Sequence, residues 1–214
     1  MKKQIKTPTK NPADNKADNF REHPRPTGSG TSEALPVTTG ESERLPKISA
    51  LLEPIDFTPG IIVLVPTETV YGYAVKLSDL KAIENLMKYK ERDYDSGKVF
   101  TLVPESKMTI KKYATITEVA KPLIEKYIPG EITLILPKNP NFNHPYFDHF
   151  ETIGIRIPDH ELFEKILPQT GPLLLTSANK KGSTPKSATG HKPSTIVDCT
   201  TNQVKVIRQG EIVI

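Results

Sequence analysis

Gly60-Ile61-Ile62-Val63-Leu64-Val65-Pro66-Thr67-Glu68-Thr69-Val70-Tyr71-Gly72-Tyr73-Ala74-Val75 is the stretch on which the reading of the fold turns. The run of five apolar residues over 61–65, entered through Pro59-Gly60, suits a buried strand, and 70–75 suits a second beyond a short polar loop. Ser78 is then placed to cap a helix whose Leu80, Ile83, Leu86 and Met87 recur at helical spacing, ending near Lys90. Working outward, the spacing predicts strands over 99–103, 132–136, 152–157, 173–176, 195–197 and 204–207. It predicts helices over 106–113, 117–127 and 161–167, with Pro129-Gly130 as a stop. Strands and helices interleave along the chain, so the expected class is α/β with a twisted, mixed, largely buried open sheet and flanking helices.

Upstream the pattern dissolves. Residues 1–46 combine six prolines with Lys, Asn, Asp, Ser, Thr and Gly and lack either periodicity, so they are expected to be a disordered polar tail before a folded domain at 47–214. The tail has eight Lys and Arg against six Asp and Glu, and the chain as a whole has a net charge of +4. That is sparse for a protein whose affinity comes from neutralising many phosphates, and it equally suits a few cations gathered around one small anion. The single cysteine, Cys199, excludes an intramolecular disulfide and a multi-cysteine metal centre. No apolar run is long enough to span a bilayer, so a cytoplasmic protein without membrane contact is expected.

Four polar clusters flank the predicted strands and helix ends, where open α/β sheets collect ligands. In Pro66-Thr67-Glu68-Thr69, the threonine hydroxyls either contact an amine or carboxylate or simply brace a turn. Lys90 and Arg92, two apart at a helix end, either converge on one anion or complement the helix dipole in solvent. Arg156 interrupts an apolar strand and needs either a structural carboxylate or an anionic ligand. Ser177 and Asn179, directly after Leu173-Leu174-Leu175, offer donors to a phosphate or nucleobase, or close an Asx turn. Walker, G-x-G-x-x-G, H-E-x-x-H and Ser-His-Asp signatures are absent, and the histidines have no metal-ligand spacing.

Taken in order, these clusters resemble the YrdC/Sua5 family of threonylcarbamoyl-adenylate synthases, from about Gly60 to Ile214. The likeness rests on P-T-E-T-V-Y-G at 66–72, K-x-R at 90 and 92, P-G-E-I-T-L-I-L at 129–136 and G-I-R-I-P at 154–158. It continues with T-S-A-N at 176–179, S-T-I-V-D at 194–198 and V-I-R-Q-G at 206–210. The resemblance implies a basic concave groove in a short, single-domain form, and conversion of L-threonine, bicarbonate and ATP to threonylcarbamoyl-adenylate and pyrophosphate for tRNA modification. It implies ATP contacts at Lys90, Arg92, Thr133, Ser177, Asn179 and Arg208, and threonine contacts at Thr67, Arg156 and Ser194. Mg²⁺ is expected with ATP, tRNA threonylcarbamoyl-transferase proteins as acceptors of the product, and weak RNA binding as a further partner interaction.

Two features depart from the family pattern. Many members follow the K-x-R with R-P-x-x-K/N-P-L, whereas Asp93, Tyr94, Asp95, Ser96 and Gly97 stand here, and the segment between Pro185 and Ser194 is short. The chemistry needs no protein nucleophile, because the task is to align two anions and screen their repulsion. The alternatives are a structured-RNA-binding module on the same cationic surface, and a nucleotide-binding carbamoyl transferase indifferent to threonine.

Overall fold

A computed structural model describes residues 55–179, 183–184 and 190–214. The expected tail at 1–46 lies outside the described residues. Among the described residues the strands are β1 (Val63–Val65), β2 (Gly72–Lys76), β3 (Thr101–Val103), β4 (Ile132–Pro137), β5 (Thr152–Ile155), β6 (Leu173–Ser177), β7 (Thr195–Asp198) and β8 (Lys205–Arg208). The helices are α1 (Leu80–Tyr89), α2 (Ile110–Tyr113), α3 (Lys121–Tyr127) and α4 (Glu161–Thr170). The strands form one mixed sheet in the order β1-β2-β6-β3-β5-β4-β7-β8, as the α/β reading requires. The pairs β3/β5 and β4/β7 are parallel and the others antiparallel.

Because successive strand residues point to opposite sides, each central strand serves two environments. Leu174, Leu102, Leu134, Ile153, Ile155 and Val197 enter one core together with Ile83 and Leu86 of α1, Ile110 of α2 and Leu123 of α3. Their neighbours Leu173, Leu175, Val103 and Ala74 enter a second, smaller core closed by Leu162, Phe163, Ile166 and Leu167 of α4. One face of the sheet is therefore covered by three helices. On the other, among the described residues, α4 is the one helix, packing on the β1-β2-β6-β3 part of it.

Three details differ from the sequence expectation, each for a local reason. The apolar run at 61–65 makes a three-residue edge strand rather than a buried one, with Leu64 48% exposed and only Val65 buried, since a short apolar run does not reveal whether a strand has one neighbour or two. The cap of α1 is Asp79 rather than Ser78: its Oδ1 accepts from Ala82 N at 2.9 Å and its Oδ2 from Gly60 N at 2.7 Å. Burial works to raise this carboxyl's pKa, but those backbone donors outweigh it and hold the pKa below its ordinary value. A short 3₁₀ turn at Tyr94–Ser96 was also not anticipated, because it follows no hydrophobic period.

Candidate functional site

Where α4 stops covering the second face, the same alternation places small and polar side chains in a row across the sheet. Register pairs Thr133 with Ile196, Ile196 with Arg208, Ile135 with Gly154, Thr101 with Leu175 and Ser177 with Gly72. Of these, Gly72, Thr101, Thr133, Leu175, Ser177, Ile196 and Arg208 line a cavity of about 170 Å³. The site thus lies on an open face of the sheet, not in a crevice beyond the strand ends where sequence reasoning looked for it. Of the nine residues singled out in the sequence, Thr67, Arg92, Thr133, Arg156, Ser177, Ser194 and Arg208 line the cavity, while Lys90 and Asn179 do not line it but hydrogen-bond to the lining Ser177.

Arg156 follows directly on β5, and its backbone N–H bonds to Leu102 O, which carries the β3/β5 ladder one residue further. Its side chain is 7% exposed and lies 3.0 Å from Glu68 Oε1. Nη2 donates to Thr69 Oγ1 at 2.8 Å and Nε to Gly130 O at 3.2 Å. The structural carboxylate and the cavity wall are therefore both realised by this arginine. Thr67 Oγ1 donates to Val70 O at 2.7 Å and lies 3.0 Å from Thr69 Oγ1. Since its one proton goes to Val70, the Thr69 hydroxyl must donate to Thr67, giving a directed chain from Arg156 through Thr69 and Thr67 to the backbone. The braced-turn reading of the first cluster is what the hydrogen bonds display, and the turn forms one wall of the cavity.

Across the floor, Thr133 Oγ1 and Ser194 Oγ are 3.0 Å apart. Arg208, at the sheet's exposed edge, donates from Nε and Nη2 to Ser194 O at 3.0 and 2.8 Å. Burial lowers the pKa of Arg208, and the nearby charge of Arg156 lowers it further. Gly210 N–H donates to Thr195 Oγ1, and a Cβ on Gly210 would sit 2.4 Å from Pro193 O, so only glycine lets the terminal segment close against this wall.

Lys90 is 5% exposed, which removes the solvated-helix-end reading. Its Nζ donates to Ser177 O at 3.0 Å, Asn179 O at 2.5 Å and Asn179 Oδ1 at 3.2 Å, and that Oδ1 also accepts from Ser177 Oγ. A buried ammonium with three acceptors is satisfied within the protein, and it knots the end of α1 to the end of β6. Burial, then the neighbouring Arg92, lowers its pKa. The Arg92 guanidinium lies over the Phe100 ring, 4.9 Å from the centroid, and burial likewise lowers its pKa.

Sequence reasoning missed Thr101, which lines the cavity, and gave Gly154 and Glu68 no role of their own. A Cβ on Gly154 would stand 3.6 Å from Thr133 Cγ2 and 3.9 Å from Thr101 Oγ1, in ordinary contact, so glycine there leaves open floor instead of avoiding a clash. Its period-two relation to Arg156 was the available signal. Among the described residues, no group of three His, Cys, Asp or Glu could hold a metal ion, and none of the helices is long and apolar enough to cross a membrane. What remains is a small hollow of hydroxyls and three arginines, of which Arg156 is paired with Glu68 while burial disfavours the charge of Arg92 and Arg208, an arrangement suited to an anionic ligand.

A family model named Sua5_yciO_yrdC and described as "Telomere recombination" matches residues 57–191. The chain is 30% identical over 174 residues to a putative threonylcarbamoyl-AMP synthase of Methanocaldococcus jannaschii, covering 72% of this chain and 81% of that one. It is 32% identical over 123 residues to the threonylcarbamoyl-AMP synthase of Bacillus subtilis, covering 56% and 35%. Among solved structures, P. abyssi Sua5 complexed with L-threonine is similar with a TM-score of 0.62 at 25% identity, over 71% of this chain and 51% of that chain. The chain thus spans about half of that structure and about a third of the Bacillus protein.

Proposed function

This chain belongs to the Sua5/YciO/YrdC family, and from that premise we propose that it joins L-threonine, bicarbonate and ATP into threonylcarbamoyl-adenylate, releasing pyrophosphate. The observation that carries the reading is the convergence of Arg92, Arg156 and Arg208 on one cavity of about 170 Å³. Pockets for drug-sized ligands run to about 300–1,000 Å³, so this one suits an amino acid, with a nucleotide extending over its open side.

The neutral threonine amine attacks the bicarbonate carbon; a C–O bond breaks, water leaves and a carbamate remains. A carbamate oxygen then attacks the α-phosphorus of ATP, the bond to the β-phosphate oxygen breaks and pyrophosphate leaves. The protein's part is to bring two anions together. In this reading the threonine end lies between the Thr67 turn, Arg156 and Ser194, and Arg92, Arg208, Thr133 and Ser177 face the nucleotide. Lys90 and Asn179 serve it by holding the end of β6 in place. Thr67, its hydroxyl already committed to Val70, shapes the pocket more than it donates. Glu68 is paired with Arg156, and among the described residues no group of three or more His, Cys, Asp or Glu is placed to hold a metal ion. Mg²⁺ enters as the counterion of ATP.

The product is a mixed anhydride, to be consumed by proteins that transfer the threonylcarbamoyl group to tRNA in the cytoplasm. Purified protein with ATP, Mg²⁺, bicarbonate and threonine is expected to release pyrophosphate at a rate that depends on threonine. Equal rates with and without threonine reject the reading, and salt-sensitive RNA binding without turnover would favour the RNA-module alternative.

A further inference from the structure

Arg92 is held unlike the other two arginines of the site. Arg156 is fixed by a carboxylate, a hydroxyl and a carbonyl, and Arg208 by Ser194. Arg92 rests instead on the face of Phe100, which is 1% exposed. Phe100 is stacked in turn on Tyr146, with centroids 5.6 Å apart and planes 11° apart, and Tyr146 Oη accepts from Phe100 N at 2.8 Å. The backbone at this point is irregular: Glu91 has φ +47° and Gly97 φ +63°, so the chain carrying Arg92 leaves α1 through one left-handed residue and reaches β3 through another.

Between these two residues, Tyr94 packs on the same aromatic block. Its ring lies 6.1 Å from Tyr146, 6.2 Å from Phe150 and 4.0 Å from the His149 imidazole. Yet Tyr94 is 37% exposed, so shielding from water is a modest reason for it to lie there. The loop is therefore attached to one aromatic block at two points, through Arg92 on Phe100 and through Tyr94 on the 146–150 segment.

We propose that Tyr94 is a positioning residue for Arg92: by docking on Tyr146, His149 and Phe150 it fixes the loop path that keeps the guanidinium on Phe100 at the cavity edge. The loop sequence at 93–97 is the one that departs from the family pattern, and the ring supplies a fastening that does not depend on charge. For phosphate binding the proposal rests on the synthase reading; for the geometry of Arg92 it does not.

Two measurements on the full chain separate these. First, ATP·Mg binding is titrated calorimetrically for the parent, Tyr94→Ala and Tyr94→Phe, with threonine KM and kcat measured alongside. Tyr94→Ala is expected to weaken ATP binding about tenfold, about 1.4 kcal/mol, while threonine KM stays within twofold; Tyr94→Phe, which keeps the ring, binds like the parent. Second, modification of Arg92 by phenylglyoxal is followed by peptide mass spectrometry without nucleotide. Its rate should rise at least threefold in Tyr94→Ala and remain parental in Tyr94→Phe. An unchanged rate in Tyr94→Ala, or ATP binding within twofold of a parent that does bind ATP, overturns the clamp. A parent that binds no ATP overturns the synthase reading alone, and the modification rates still decide the role of Tyr94.

Discussion

The two faces of the sheet are made by the same strands and differ in almost everything else. The face under α1, α2 and α3 is filled by Leu102, Leu134, Ile153, Ile155 and Leu174, with Phe100 and Phe147 fully buried beside them. One residue away along the same strands, Thr101 and Thr133 line a hollow on the other face, with Gly154 adding no side chain between them, and α4 stops before covering it. On β4 and β5, which α4 does not reach, stability and binding are thereby assigned to opposite parities, so there a substitution's effect should depend on its parity more than on its distance from the site.

The largest effect expected from that contrast is on the covered face. Leu134→Ala removes a wholly buried side chain and should cost about 3 to 4 kcal/mol by chemical denaturation. Turnover per folded molecule should stay near parental below the transition, although Thr133 is its chain neighbour. A lasting loss of turnover in the folded variant would break the division by parity.

Next comes Arg92→Lys. It keeps the charge but loses the planar donor fork and the stacking on Phe100, so pyrophosphate release should fall roughly 30- to 150-fold, about 2 to 3 kcal/mol. Melting should remain close to the parent. A variant that melts and turns over like the parent removes Arg92 from the nucleotide site.

A smaller effect, visible at alkaline pH, tests the joint between the faces at Tyr146. Burial pushes the Tyr146 hydroxyl up from its usual 10 to about 12, against the opposing pull of the Phe100 N–H and of Arg92. The folded state holds this proton more tightly, so the stabilisation is complete below pH 10 and is lost as pH rises from 10 to about 12, on the order of 1 to 2 kcal/mol. Tyr146→Phe should flatten that part of the stability profile. Tyr113, buried and bonded to Glu105, is also raised and retains some alkaline slope. An identical slope in Tyr146→Phe would show that this hydroxyl does not titrate with unfolding.

The smallest effect is at Asp79. Asp79→Ala removes the cap of α1 and should lower stability by about 1 kcal/mol, with threonine and ATP dependence of turnover unchanged, because the helix it caps belongs to the covered face. A shift in threonine KM would sharpen the comparison by showing that α1 transmits its end position to Lys90 and the knot at Asn179.

Local pattern reached a long way in this chain. The apolar runs, the helical spacing of Leu80, Ile83 and Leu86, and the punctuation at Pro129-Gly130 mark every strand and the main helices within a few residues, because they reflect constraints acting between near neighbours. The polar residues that gather at the cavity were also conspicuous as residue types, since an arginine inside an apolar run needs a partner wherever it lies. Tertiary structure alone decided the strand order β1-β2-β6-β3-β5-β4-β7-β8 and which parity faces α4. It alone made Glu68 the partner of Arg156, buried Lys90 against carbonyls 87 and 89 residues away, and seated Arg92 on Phe100. Pairing and register are set by contacts between distant segments, and a one-dimensional period is the same whichever neighbour a strand finds.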